Sequence, residues 1–384
     1  MLKKVIIAPD SYKGSLTAPQ VTDIIAEEVL KCFPDCDIIK MPIADGGEGT
    51  VDTVISAIGG RFESTQVLSP DDETITAYFG VSETGIAVME MAQSTGITKQ
   101  NGLHPMTSST YGFGQLILSA LELGVREFMM GIGGSATTDG GCGMAAALGV
   151  KFFDDKGSVF IPCGETLHRI ARIDTTDIDK RISESKFTVM CDVDNPLYGP
   201  YGAAYIYSPQ KGATPEQVVI LDNGLRHYSD ILTNTFGQDN SAFPGAGAAG
   251  GLGIGCMVYL NAALMSGIDV ILELCGYKNH LKNADLVITG EGKLDSQSFS
   301  GKVLSGILRD AEDIPIVSIC GVKDFDEALL SKLNLTIYEV SDGISIEESL
   351  SETEKHLRLT TEKFLNDKKQ YEQGRIPNKS DKGD

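Results

Sequence analysis

Short apolar strands followed by glycine-rich loops recur at both ends of this chain. A strand is predicted at Lys4–Pro9, a helix with apolar residues at helical spacing at Val21–Cys32, and a second strand at Asp37–Pro42. Such a strand–helix–strand succession predicts two parallel strands in one sheet. The C-terminal third repeats this order, with predicted strands at Asp285–Gly290, Ile314–Gly321 and Thr336–Val340 and a predicted helix at about Gly301–Asp310. The two ends together predict one open α/β sheet.

The middle of the chain follows a different pattern. Thr74–Gly80 and Gly85–Met91 predict an antiparallel hairpin, and Tyr111–Leu123 predicts a helix that leads into a strand at Glu127–Gly131. The chain has 384 residues, which is beyond the length at which a single hydrophobic core usually stops growing. We therefore predict an inserted α/β domain at residues 61–255, within a first domain formed by residues 1–60 plus 256–384.

Composition limits the partners that this chain can have. The formal net charge is −21, which argues against a nucleic acid, because phosphate backbones attract surfaces rich in lysine and arginine. So acidic a protein can hold a phosphorylated ligand only where lysines, backbone N–H groups and a metal ion are brought together locally. None of the eight cysteines forms a C-x-x-C pair, so we expect reduced thiols in a cytoplasmic protein.

One uncharged stretch, between Asp239 and Asp269, is long enough to be considered as a membrane span. Much of it is glycine and alanine, concentrated at Gly245–Gly255, and such residues gain little from lipid. We therefore expect no membrane partner. The sequence leaves a homodimer open.

The chain contains 43 glycines, and two of their clusters directly follow predicted strands. The first cluster, Ala44–Thr50, lies where α/β proteins place ligands, and its candidate residues are Asp45, Gly46 and Gly47. The second, Gly131–Gly143, combines glycines with hydroxyls and an acid at a strand-to-helix junction, which suits a phosphate cradle. Its candidate residues are Gly133, Gly134, Ser135, Thr138 and Asp139. A structural glycine turn is the alternative at both places.

Acids and lysines follow two further predicted strands. Asp192 and Asp194 stand in D-x-D-N spacing after Phe187–Met190, a pattern that suits Mg²⁺ binding or base catalysis but also occurs in plain turns. The other candidates that could hold an anion or a metal are the acids Asp10, Glu291 and Asp295, the lysines Lys13, Lys211, Lys293 and Lys302, and the hydroxyl residue Ser11. Any one of these lysines taken alone is more simply a solvated surface charge.

Two motif matches fail on their context. Gly245–Gly250 matches G-x-G-x-x-G, but no strand precedes it, as a dinucleotide site requires. Gly301 and Lys302 resemble the end of a Walker A loop, but Val303 replaces the hydroxyl residue that binds the metal. The five histidines lie outside the glycine clusters, and there is no G-x-S-x-G elbow, which argues against a histidine-dependent hydrolase.

Taken together, these segments resemble the bacterial type-1 glycerate kinase family. The resemblance extends from Lys4 to about Leu365, and Tyr12 is a small departure, since phenylalanine is usual there. The matching stretches, in the family's order, are Ala8–Leu16, Ala44–Thr50, Gly131–Gly141, Cys191–Leu197, Pro209–Ala213, Gly245–Gly253 and Ala284–Gly292. The resemblance implies an ATP-dependent kinase that phosphorylates D-glycerate, mostly to 2-phosphoglycerate. It also implies a flavodoxin-like parallel-sheet domain with an inserted domain similar to a restriction-endonuclease core.

Residue roles are assigned from the chemistry of phosphoryl transfer, which needs an activated hydroxyl, a metal ion on the phosphates and cations on the transferring group. Asp192 is the expected base, and Lys13 and Lys302 are the expected charge stabilisers. Mg²⁺ is expected on Asp45, Asp194 and Glu291, and the other candidates are expected to bind substrate or nucleotide in an interdomain cleft. Two alternatives stay open: a kinase for another small hydroxy acid, and a non-catalytic sensor of a nucleotide or sugar acid.

Overall fold

The computed structural model describes residues 2–44, 46–47, 49–299, 302–326, 330 and 333–372, with the backbone alone at 346, 371 and 372. Its strands, numbered in chain order, are β1 Lys4–Ile7, β2 Asp37–Lys40, β3 Gly60–Leu68, β4 Thr74–Ser82, β5 Ile86–Glu90, β6 Glu127–Gly131, β7 Lys151–Phe153, β8 Val159–Phe160, β9 Arg172–Asp174, β10 Lys186–Met190, β11 Ala263–Met265, β12 Leu286–Thr289, β13 Lys293–Asp295, β14 Ile316–Cys320, β15 Val322–Asp324 and β16 Leu335–Glu339.

The α-helices are α1 Ala18–Cys32, α2 Thr50–Ile58, α3 Ala92–Thr95, α4 Tyr111–Glu122, α5 Cys142–Ala147, α6 Ala203–Tyr207, α7 Pro215–Phe236, α8 Ala248–Leu260, α9 Gly267–Leu274, α10 Tyr277–Leu281, α11 Val303–Ala311, α12 Ile346–Ser351 and α13 Thr353–Glu372. Short 3₁₀ turns occur at Ile97–Lys99, Gly164–Arg169, Lys180–Glu184, Pro209–Lys211 and Ser296–Phe299. None of the described helices is long and apolar enough to cross a membrane.

Contacts within the chain divide it into two compact units. Unit 1 comprises Met1–Asp45, Ser56–Ile58 and Ile268–Asp384, and unit 2 comprises Gly46–Ile55 and Gly59–Gly267. This division places residues 256–267 in unit 2, whereas the sequence assigned them to the first domain. The proposal that residues 61–255 form an independently folding domain stays a prediction.

The main sheet of unit 1 is parallel, with the strand order β16-β14-β12-β1-β2. Counted along the chain within this sheet, the order is 2-1-3-4-5, which is the order of the flavodoxin fold. Ile6 of β1 pairs with Ile39 on one side and with Val287 on the other. The open parallel α/β sheet predicted from the two ends of the chain is therefore confirmed.

Helix α1 shows how local sequence builds this sheet. Thr17 caps its first turn: the Thr17 N–H donates to Gln20 Oε1 at 2.9 Å, and the Gln20 N–H donates to Thr17 Oγ1 at 3.4 Å. Val21, Ile25 and Val29 are fully buried along one face of the helix, in the same core as the inward side chains of β1 and β12. The helix thus connects two parallel strands, β1 and β2, as the strand–helix–strand pattern requires.

The main sheet of unit 2 has the order β11-β10-β6-β5-β4-β3. Its first four strands are parallel, whereas β4 and β5 form the predicted antiparallel hairpin. Strand β3 was not predicted from the sequence, because its mostly exposed residues 60–68 lack a continuous apolar run. Two small sheets complete the structure, β8-β7-β9 in unit 2 and β13-β15 in unit 1.

Candidate functional site

A cavity of about 320 Å³ lies at the carboxyl edge of the unit 1 sheet. The loops after β1 and β12 line it. These two strands are neighbours in the sheet, but the chain continues from β1 to β2 on one side and from β12 to β14 on the other. In flavodoxin-like sheets this switch point is where the ligand binds. The sequence-predicted residues that line it together are Asp10, Ser11, Lys13, Glu291, Lys293, Asp295 and Lys302.

The backbone approaches very closely beside this cavity, and glycines make the approach possible. A Cβ atom at Gly290 would lie 2.1 Å from the carbonyl oxygen of Ile319, and one at Gly321 would lie 2.3 Å from that of Gly292. The Tyr12 hydroxyl donates to the same Ile319 oxygen at 2.6 Å and is buried. These glycines are therefore needed to bring the loops after β1, β12 and β14 together.

Glu291 is a carboxyl of the cavity whose pKa is strongly shifted by its surroundings. Burial raises its pKa to about 7; a hydrogen bond from Ser298 and the nearby charge of Lys302 oppose the shift, whereas Asp10 and Asp295 add to it. A carboxyl surrounded by other carboxyls gains from a cation placed among them. This environment therefore suits a metal ion or the positive side chains of a phosphate site.

Three lysines supply positive charge at the rim. The side chains of Lys13, Lys293 and Lys302 are exposed, and the Lys293 ammonium lies 2.7 Å from the Asp324 carboxylate. Lys302 directly precedes α11, so the backbone N–H groups of that helix's first turn also point toward the same end. Exposed lysines beside the N–H groups of a helix's first turn suit an anion, of the kind that an acidic protein can hold only locally.

Part of the cavity wall was missed by the sequence analysis. Ser349, Leu350 and Thr353 come from α12 and α13, and Val303 and Val322 add apolar surface. These residues carry no sequence signal, because a lone leucine or threonine on a helix has the same pattern whether it faces solvent or a ligand. Only the packing of α13 against β14 and β16, and of α12 against α13, brings them to this cavity.

A second carboxyl edge lies in unit 2. A Cβ at Gly131 would lie 2.3 Å from the Gly46 carbonyl oxygen, one at Gly133 would lie 3.0 Å from Gly47 Cα, and one at Gly46 would lie 3.0 Å from Met190 Cβ. The predicted loop at Gly46 and Gly47 therefore crosses the ends of β6 and β10. Gly133 and Gly134 are exposed there, and the Gly134 carbonyl oxygen accepts a hydrogen bond from the Ile97 N–H at 2.9 Å.

Asp192 follows β10 at this edge and is exposed. Its Oδ1 accepts a hydrogen bond from the Gly267 N–H at 2.9 Å, just after β11, which fixes the carboxylate beside two strand ends. Asp194 is also exposed. Asp45, the third predicted metal ligand besides Asp194 and Glu291, lies outside the described residues.

Asp139 lies inside unit 2. Its carboxylate accepts hydrogen bonds from the N–H and hydroxyl of Thr110, both at 2.8 Å, and from the N–H groups of Gly141 and Gly143. Burial raises the pKa of Asp139, and these hydrogen bonds oppose the shift. Thr138 is also fully buried, 3.2 Å from the Ser208 hydroxyl. Both residues hold the loop in place, and their direct contact with a ligand stays a prediction.

Lys211 is buried as well, with only 2 % of its surface exposed. Its ammonium donates to the Thr137 carbonyl oxygen at 2.6 Å and to Ser135 Oγ at 3.1 Å. Burial lowers its pKa to about 7, and the nearby Asp139 opposes that shift. Lys211 therefore clamps the predicted phosphate cradle from inside the unit.

This burial predicts a pH dependence of stability. Because the folded-state pKa of Lys211 is depressed, the unfolded chain binds more protons between pH 7 and 10.5, so the free energy of unfolding should rise with pH across that window. Lys211→Met should remove up to about 1.4 kcal/mol per pH unit of this rise. Denaturant unfolding at several pH values measures it, with the exposed Lys156→Met as the control. Identical slopes for Lys211→Met and the wild type would contradict the burial.

Glu90 is a carboxylate of this edge that the sequence analysis missed. It ends β5 and is buried, and both of its oxygens accept backbone hydrogen bonds, from Gly49 and Val51. A single acid inside the otherwise apolar run Ile86–Met91 was the available signal. It was overlooked because the loop that it contacts lies some forty residues earlier in the chain.

Lysines, acids and tight glycine turns at the carboxyl edges of parallel strands are typical of α/β proteins that bind phosphorylated ligands. The family model described as "Glycerate kinase family" matches residues 5–368 of this chain. The chain is 43% identical to a glycerate kinase of Bacillus subtilis (strain 168) over 326 residues, 83% of this chain and 85% of that protein. It is 42% identical to the glycerate 2-kinase of Escherichia coli (strain K12) over 323 residues, 83% and 85% of the two chains.

A solved crystal structure shows the same architecture. It is that of a candidate glycerate kinase 2 from Salmonella typhimurium LT2, which is 36% identical, covers 97% of this chain and 100% of its own, and superposes with a TM-score of 0.87. The chain therefore belongs to the glycerate kinase family. It is accordingly an enzyme, a phosphotransferase with an alcohol group as acceptor.

Proposed function

We propose that this enzyme transfers the γ-phosphoryl group of ATP to the 2-hydroxyl of D-glycerate in the cytoplasm, with Mg²⁺ as the metal, and releases 2-phosphoglycerate and ADP. The observation that carries the proposal is the cavity at the switch point of the unit 1 sheet, where lysines and carboxyls meet. Family membership supports the kinase reaction, and the glycerate 2-kinase relative supports the 2-hydroxyl. The eight cysteines are free, as in a reducing compartment.

We assign the phosphates of ATP to this cavity. Lys13 and Lys302 would neutralise the transferring group, since charge on its oxygens is the main electrostatic problem of the transition state. The first turn of α11 offers N–H groups to the same phosphates. The exposed Leu350 and the neighbouring Val322 offer apolar surface to the base of the nucleotide.

The donor set fits Mg²⁺. Within the described part of the chain, no three His, Cys, Asp or Glu side chains are grouped closely enough to hold a metal by themselves. In kinases, however, Mg²⁺ is usually bound by one or two carboxylates plus phosphate oxygens and water. Glu291, with Asp10 beside it, would hold the ion, which supplies charge neutralisation on the phosphates.

We assign the acceptor hydroxyl to the edge of unit 2. Asp192 would take the proton of the glycerate hydroxyl, and its hydrogen bond from Gly267 keeps one carboxylate oxygen oriented. The exposed backbone groups of Gly133 and Gly134 would bind the carboxylate of glycerate. Direct transfer also requires donor and acceptor to meet, so the interdomain cleft expected from the sequence is part of the proposal.

One assay tests the whole proposal. The protein is mixed with ATP, Mg²⁺ and D-glycerate, and both ADP and the phosphoglycerate isomer are measured. We expect ADP and 2-phosphoglycerate in equal amounts. No ADP above background would remove the kinase function and leave the sensor alternative; turnover only with another hydroxy acid would change the substrate, and 3-phosphoglycerate would change the acceptor hydroxyl.

Replacement of Glu291 tests the metal assignment. Glu291→Gln keeps the shape of the side chain but removes the carboxylate, so the Mg²⁺ concentration that gives half-maximal rate should rise by at least about tenfold. The KM for D-glycerate should stay within a factor of two. Glu362→Gln, the same change at an exposed residue of α13 outside the cavity lining, is the control for a general loss of negative charge. An unchanged Mg²⁺ dependence of Glu291→Gln would exclude Glu291 as a metal ligand.

A further inference from the structure

The buried carboxylate of Glu90 has a geometry that packing alone does not require. It ends β5, and only 1 % of its surface is exposed. Its Oε1 accepts from the Val51 N–H at 2.6 Å, and its Oε2 accepts from the Gly49 N–H at 3.2 Å. The side chain of Gln93 gives a further hydrogen bond. Burying a carboxylate is costly, and here several aligned donors offset the cost.

The two backbone donors belong to the start of α2. N–H groups in the first turn of a helix have no partner within the helix, and the helix dipole favours a negative charge at that end. Gly49 directly precedes the helix and has a φ of 89°. Because glycine has no side chain, this residue cannot cap the first turn itself. The Glu90 carboxylate, at the end of β5, caps the helix instead.

The segment held in this way is the one that crosses the edge of unit 2. Gly46 and Gly47 lie only a few residues before the capped turn, and they contact the ends of β6 and β10 at Gly131, Gly133 and Met190. Asp192 follows Met190 by two residues. The position of the crossing segment and that of the strand end bearing Asp192 are therefore coupled through direct packing.

We propose that Glu90 is a positioning residue for phosphoryl transfer: its carboxylate fixes the start of α2, and thereby holds Gly46 and Gly47 across the strand ends beside Asp192. This inference rests on the proposed function of that edge. Glu90 itself touches no reacting atom. Its effect is exerted through the placement of the glycine segment, and displacements of about 1 Å in such a segment can cost on the order of 10²-fold in rate.

The negative charge is essential to this role because both oxygens accept. In Glu90→Gln one oxygen becomes an NH₂ group, so a donor would face either the Gly49 or the Val51 N–H. The segment must then shift or lose a bond. Glu90→Asp keeps the charge but shortens the side chain, so it should retain one of the two backbone bonds and act as a partial rescue.

The experiment measures steady-state kinetics and thermal unfolding of Glu90→Gln, Glu90→Asp and the exposed control Glu83→Gln. Rates are expressed per folded enzyme. For Glu90→Gln we expect kcat to fall by about 10- to 100-fold while KM for ATP stays within a factor of two. Glu90→Asp should have an intermediate kcat, and Glu83→Gln should match the wild type.

A purely structural role would give a different result. If Glu90→Gln or Glu90→Asp lowers the melting temperature but leaves kcat per folded enzyme at the wild-type value, the positioning role is wrong. If Glu90→Gln does not fold, Glu90→Asp decides, because a wild-type kcat in that variant contradicts the proposal. An inactive wild type would instead overturn the proposed function, so the two failures are distinguishable.

Discussion

Asp192→Asn is expected to lower kcat by about 10³-fold, because a general base contributes roughly 10²- to 10⁴-fold and an amide cannot accept the proton of the hydroxyl. The fold should be retained. Asp192 is exposed, and the asparagine oxygen can still accept the hydrogen bond from the Gly267 N–H that the carboxylate now accepts at 2.9 Å. Steady-state rates with D-glycerate, together with a thermal unfolding curve, measure both parts of the expectation.

The matched control is Asp230→Asn, which makes the same change at an exposed position of α7. It should leave kcat unchanged and so exclude a general effect of removing one negative charge. A near-normal kcat for Asp192→Asn would refute the assignment of the base. A large rise in KM for D-glycerate with kcat preserved would make Asp192 a binding residue instead.

Gly290→Ala is expected to weaken ATP binding at least tenfold and to destabilise the fold by about 1–3 kcal/mol. The added Cβ would lie 2.1 Å from the Ile319 carbonyl oxygen and 3.1 Å from the Tyr12 hydroxyl. Tyr12 lines the cavity, and Ile319 lies two residues before Gly321, which also lines it. The methyl group must therefore push apart the loops that form the proposed nucleotide site. Fluorescent nucleotide titration and thermal unfolding measure the two effects.

Gly14→Ala is the control for this substitution. Gly14 lies in the loop after β1, in open space, so an alanine there meets no atom within 4 Å. Its φ of 84° gives a backbone cost of about 1–2 kcal/mol and no steric conflict with the cavity. If Gly14→Ala loses as much stability as Gly290→Ala but binds nucleotide normally, the binding defect of Gly290→Ala is due to steric crowding at the cavity. Normal binding in Gly290→Ala would remove ATP from this cavity.

The sequence predicted the parallel sheet of unit 1 well, because its strands are short apolar runs separated by glycine turns. Several of the candidate residues selected from the sequence line one cavity of unit 1, and their roles stay predictions. Asp10 and Glu291 are far apart in the chain, but both directly follow strands of one parallel sheet, and carboxyl ends of such strands meet at one edge. The position of a residue directly after a predicted strand therefore indicates where it lies in the fold, which amino-acid composition does not.

Burial was what the sequence could not predict. Lys211 and Asp139 are of residue types that often bind ligands, and both stand beside glycines. In the structure, however, both are buried and hydrogen-bonded to backbone and hydroxyl groups. Nothing local distinguishes a lysine that binds phosphate from one that clamps a loop. Glu90 was missed for the converse reason, since its partners Gly49 and Val51 belong to a distant helix start.

The pairing of β1 between β2 and β12 has a consequence for the order of events during protein synthesis. The Thr289 hydroxyl donates to the carbonyl oxygen of Ala8 across a separation of 281 residues, so the first strand made is completed by one of the last. At about 5–20 residues per second, β1 and β2 wait for tens of seconds without their neighbour. A chaperone that shields the newborn edge of β1 should therefore raise the yield of this enzyme more than that of a protein whose sheet forms in sequence.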